Sequence, residues 1–136
     1  MRRIPALGTI LIVLVLTACG GSSSPTTDID VTLIDFQFTP NSFTVPAGEE
    51  ITLTAANTGA VVHNFIIMEL GYHTGPEFDD EDLAHVYWQV DVSPGNTRDT
   101  TFTAPQEPGE YEVVCSTAGH VQAGMVGKLT VVIPEE

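Results

Sequence analysis

Positive charge is scarce in this chain of 136 residues: four Lys and Arg stand against 18 Asp and Glu, for a formal net charge of −14. Such a surface repels phosphate, which makes nucleic acid and anionic lipid headgroups poor partners and favours cationic proteins and cations. Adaptation to high salt would favour the same composition. Cysteine is nearly absent, with only Cys19 and Cys115. No apolar run approaches the roughly 20 residues that span a bilayer; the most apolar stretch, Ile10–Leu16, is too short. The chain also has no internal repeat, no convincing helical stripe and no His-x-His pair.

What is present begins with an export signature. Arg2-Arg3, the apolar stretch and Leu16-Thr17-Ala18-Cys19 give a basic start, a short hydrophobic core and small residues before a cut site. The run "LTAC" resembles the lipobox of bacterial and archaeal lipoproteins, in which the cysteine becomes the first mature residue and carries the lipid. An ordinary signal peptide with a chance cysteine, or an uncleaved anchor, are the alternatives. The resemblance implies a signal over 1–18, lipid on Cys19, and an extracytoplasmic domain anchored to the membrane. Loss of residues 1–18 removes two arginines and no acid, taking the charge from −14 to −16. With Cys19 lipidated, Cys115 has no disulfide partner in an oxidising compartment and must be buried, bind something or be oxidised. Residues 20–27, "GGSSSPTT", read as a flexible tether reaching about 27 Å at about 3.4 Å per residue, which sets the domain at 28–136.

From Asp28 the pattern is β. "DVTLIDFQF" alternates with a slip, and "SFTV", "ITLTAAN", "VVHNFIIMEL", "HVYWQVDV", "TRDTTFTA", "GEYEVVC" and "GKLTVVI" follow, separated by Gly, Pro and Asn. About eight short strands predict an all-β, antiparallel Greek-key sandwich. In "GEYEVVC", Tyr111, Val113 and Cys115 share the inner face while Glu110 and Glu112 point to water. In the last strand Leu129, Val131 and Ile133 face one side. The acidic connection over residues 71–84 has room for a helical turn near "DDEDLAH". Its run of Glu77, Asp79, Asp80, Glu81 and Asp82 reads first as a solvated face, with a docking patch as the alternative.

Chemistry concentrates in "CSTAGHVQAGM", where Cys115, His120 and Met125 fall within one short loop. Thiolate and thioether suit copper(I) and imidazole suits both oxidation states, so this donor set can hold copper through a redox change. Two histidines and a cysteine in a plane with a weak axial methionine need one more imidazole. His73 and His85 flank the acidic loop, where polar residues need no explanation. His63 lies in an apolar strand, where they do, and is the better second nitrogen donor. Asn64 beside it can supply hydrogen bonds that pin the facing loop.

"VVHNF" some fifty residues before "YEVVCSTAGHVQAGMVGKLTV" resembles the cupredoxins, the small blue copper proteins. The Cys-x4-His-x4-Met spacing is similar to that of rusticyanin-like and sulfocyanin-like members, and the likeness covers essentially all of 28–136. It implies one copper ion cycling between Cu(II) and Cu(I), with His63, Cys115, His120 and Met125 as ligands and Asn64 tying the ligand loops together. Ala118, where many relatives carry proline, departs from the pattern and is expected to loosen the loop. The acidic insert over 72–85 has no counterpart in the minimal fold.

Four protein ligands leave no open position for a substrate, so the expectation is an electron carrier rather than an enzyme. His120, among Gly119, Val121, Ala123 and Gly124, is the expected exit for the electron, toward a cationic redox protein docking there. The alternative is a copper-binding lipoprotein that buffers or delivers the metal.

Overall fold

The structure, a computed structural model, describes residues 23–134. The expected signal over 1–18 and the lipid site at Cys19 lie outside the described residues. In chain order the elements are β1 (Asp28–Ile34), β2 (Gln37–Thr39), β3 (Ser42–Pro46), β4 (Glu50–Asn57), β5 (His63–Met68), α1 (Asp80–Leu83), β6 (Val86–Val92), β7 (Thr97–Thr103), β8 (Gly109–Val114) and β9 (Val126–Val132). They form a four-stranded sheet, β2-β1-β4-β7, facing a five-stranded sheet, β3-β9-β8-β5-β6.

Among the described residues the sandwich has nine strands where eight were expected, because "DVTLIDFQF" folds back on itself. β1 and β2 pair antiparallel with Leu33 opposite Phe38. The slip in the alternation is the turn between them, where Phe36 has φ 69°. The sheets are also mixed, since β1 runs parallel to β4 and β3 parallel to β9. Alternation reports which face of a strand is buried; direction is set by long connections between sheets, which the period cannot register.

The core forms where the inner faces meet. Ile29, Val31 and Leu33 of β1 and Ile51, Leu53 and Ala55 of β4 are all buried. Across from them Phe65 lies edge-on to Phe38 and Phe43, with ring centroids 5.7 and 5.5 Å away. Rings in this tilted arrangement add to the area they bury. β5 departs from alternation because both of its faces are covered. His63, Phe65 and Ile67 point inward, while Ile66 and Met68 join Val114 in a second cluster beneath Tyr72, Phe78 and Val121. The acidic insert therefore roofs the outer face of the five-stranded sheet.

Three local expectations change. Residues 23–27 are not a free tether: Thr26 N–H donates to Thr44 O at 3.0 Å, and Thr52 N–H to Thr27 O at 2.8 Å. Glu112 does not point to water but accepts from Thr74 N–H (3.1 Å) and Thr74 Oγ1 (2.6 Å) and pairs with His73 Nδ1 at 2.7 Å. Ile133, past the end of β9, is exposed. The helical turn expected near Asp80 is present as α1, capped by the Asp79 carboxylate. Among the described residues no helix is long and apolar enough to cross a membrane.

Candidate metal centre

Neighbouring strands deliver the two halves of the site. β5 pairs with β8 through Ile66–Val114 and Ile67–Val113, which brings His63, at the start of β5, beside Cys115, just past the end of β8. Where this ladder stops, the Asn64 side chain continues it. Its Oδ1 accepts from Ser116 N–H and its Nδ2 donates to Ser116 Oγ, both at 2.7 Å. Thr117 Oγ1 donates to Val62 O at 2.7 Å, a second tie between the same segments. The loop then closes on itself, with His120 N–H on Thr117 O and Met125 N–H on His120 O, each at 2.9 Å. Gly119 and Gly124, at φ 81° and 100°, supply the left-handed turns that bring Met125 back under His120.

The four side chains converge. Cys115 Sγ stands 3.7 Å from His63 Nδ1 and 3.7 Å from His120 Nδ1, and the donor atoms of these three residues all lie within 4.8 Å of one another. Met125 Sδ is 3.4 Å from His120 Nδ1. Imidazole and thiolate bound to one first-row ion at about 2.0 and 2.3 Å stand about 3.7 Å apart when the angle is trigonal. The nitrogen–sulfur spacings meet that requirement, and two imidazoles, one thiolate and one thioether are the donor set of a blue copper centre. His63, Cys115 and Met125 are fully buried, and His120 is 5% exposed.

A family model for copper-binding proteins of the plastocyanin/azurin family matches residues 25–132. The chain belongs to that family and is a cupredoxin. Plastocyanin from Mercurialis perennis is 36% identical over 102 residues, which cover 71% of this chain and 89% of the plastocyanin. The copper-resistant cuproprotein CopI of Pseudomonas aeruginosa is 28% identical over 136 residues, covering 76% of this chain and 75% of that protein. Dithionite-reduced auracyanin from the photosynthetic bacterium Roseiflexus castenholzii superposes with a TM-score of 0.67 at 29% identity, over 80% of this chain and 99% of the other.

His63, Cys115, His120 and Met125 thus form the type 1 copper site of this cupredoxin. His73 and His85 are not part of it. They bind Glu112 and Glu69 at the insert, at 2.7 and 3.0 Å. Burial, and then the neighbouring His63, hold the His120 imidazole below its ordinary range. That keeps its lone pair free for a metal.

Two contacts of the cupredoxin site escape sequence reasoning, and both come from the β1–β2 turn. Asp35 Oδ1 lies 3.0 Å from His63 Nε2. With Nδ1 turned to the donor cluster, Nε2 carries the proton and donates to this carboxylate. The Phe36 ring packs at a tilt against His120, with centroids 4.9 Å apart, and is about half exposed. The one sequence signal for either was the slip in the alternation at Ile34–Phe36. Val61 and Val62, just before His63, are exposed as well.

Proposed function

We propose that this cupredoxin carries single electrons at an extracytoplasmic membrane face, exchanging them with a cationic redox protein that docks over His120. The observation that carries this reading is the closed donor set, in which His63, Cys115 and Met125 are buried and His120 alone keeps a trace of exposure. Copper supplies the one-electron couple when bound. The chain's residues hold the donors in one arrangement, so that little moves when the charge changes. Cys115 is fixed by the end of β8, and Asn64 and Thr117 lock its loop to the strand bearing His63. Water is kept out by the core on one side and by Phe36 on the other. A partner meeting Phe36, Val61 and Val62 would come within one ring of the centre, on an apolar surface suited to brief contact.

The acidic insert suits steering. Glu77, Asp79 and Glu81 line a shallow groove together with Gln122 of the ligand loop, so negative charge borders the proposed docking face. The lipobox-like "LTAC" supports removal of residues 1–18 and anchoring by lipid on Cys19.

Copper buffering or delivery is the second reading, favoured by the likeness to CopI. The first test is the visible spectrum of the copper-loaded protein. Strong thiolate-to-copper absorption is expected, and Cys115→Ser should abolish it, because a hydroxyl is too poor a donor to replace the thiolate. A colourless copper(II) complex of the native protein would refute the centre proposed here.

A further inference from the structure

We propose that Asp35 acts through His63 as a fixed negative charge that favours the oxidised centre and so holds its reduction potential down. The inference rests on the copper reading above. It starts from a cradle that Gly59, Ala60 and His63 form around the Asp35 carboxylate. Asp35 Oδ1 accepts from His63 Nε2–H at 3.0 Å and from Ala60 N–H at 3.0 Å, and Oδ2 lies 3.3 Å from the same Ala60 N–H. Gly59 closes the cradle, since a Cβ there would fall 2.4 Å from both Asp35 Oδ1 and His63 Nε2. The backbone therefore approaches this hydrogen bond as closely as a residue without a side chain allows. The carboxylate cannot swing away without giving up all three contacts.

Both groups that Asp35 Oδ1 meets are N–H donors, the arrangement of an ionised carboxylate, and an aspartate is anionic at neutral pH. An anion on the far nitrogen makes the imidazole a stronger donor, and a stronger donor stabilises the ion of higher charge more than that of lower charge. The Asp35 side chain is 38% exposed. Solvent weakens its through-space field, so its effect passes mainly through the hydrogen bond to the buried ring. Asp35 is therefore a positioning residue with an electrostatic role, acting on the metal only through His63.

Two substitutions separate charge from geometry. Asp35→Asn keeps an acceptor for His63 Nε2–H and removes the charge, while Asp35→Ala removes both. In the copper-loaded protein, Asp35→Asn is expected to lower copper(II) affinity relative to copper(I) about tenfold, at the low end of losses for such outer contacts. For a one-electron couple that is a rise of about 59 mV. The visible band should persist, because Cys115 is untouched. A native potential in Asp35→Asn would overturn the proposal, whether or not Asp35→Ala shifts. An absent band in the native protein would instead sink the copper reading. Nitrogen NMR of the native apoprotein decides without copper or variants. His63 should be protonated at Nε2 with a strongly deshielded proton, as in a charge-assisted bond; protonation at Nδ1 or an ordinary shift would overturn the assignment.

Discussion

Among the four donors Met125 is expected to do the least in holding the metal and the most in tuning it. It is fully buried and returns to the site on the left-handed turn at Gly124, so Leu can replace it at nearly constant volume for less than about 1.5 kcal/mol. Met125→Leu is expected to keep copper and colour but raise the reduction potential, since losing a donor disfavours copper(II). Redox titration measures this, and loss of the metal would mean that the thioether is an anchor. At this scale the sequence was informative where a residue type is chemically rare. A thiol, an imidazole and a thioether in eleven residues, with a histidine in an apolar strand, have few joint explanations. Asp35 was invisible for the opposite reason: an aspartate in an acidic chain is unremarked until the fold sets its carboxylate on His63 Nε2.

Elements were legible through their periods, and what the period missed on the outer face of the five-stranded sheet has one cause. Alternation identified β1 and β4 from a single buried face, but β5 has two, and its run "HNFIIM" alone does not say what lies over Ile66 and Met68. The cover is the insert, an element without periodicity. Tyr72 Oη donates to the buried Asp82 at 2.9 Å, and burial with that bond pushes the phenol up to about 12, so it stays protonated. Glu112 of β8 secures the near end of the insert through Thr74 and His73. Glu112→Ala would remove the acceptor of these donors, which solvent can reach, and a loss of about 0.5–1.5 kcal/mol is expected in denaturant unfolding of the apoprotein. The visible band of the loaded protein should not move, because no insert residue belongs to the donor set. A shifted band would show that the roof shapes the centre as well as covering the sheet.

At the scale of the whole molecule, charge and closure together separate the two functional readings. Net acidity was legible from composition alone; its concentration beside the ligand loop, at Glu77, Asp79 and Glu81 next to Gln122, required the fold. A delivery protein must surrender its metal, which calls for exposed or incomplete ligands. Here three donors are buried and the segments carrying them are tied by Asn64 and Thr117, so release requires breaking those ties. An electron needs no such opening, only a close approach at His120. Reduced protein mixed with an oxidised cationic cytochrome should therefore exchange electrons rapidly. The rate should fall about tenfold or more as salt is raised from about 10 mM to 1 M, where screening shortens from about 30 to 3 Å. A neutral small-molecule oxidant should show almost no such dependence, which separates steering from any effect of salt on the centre. Over the same interval a competing copper(I) chelator should remove little metal. Fast loss of copper to the chelator with sluggish, salt-insensitive electron exchange would assign the protein to copper handling instead.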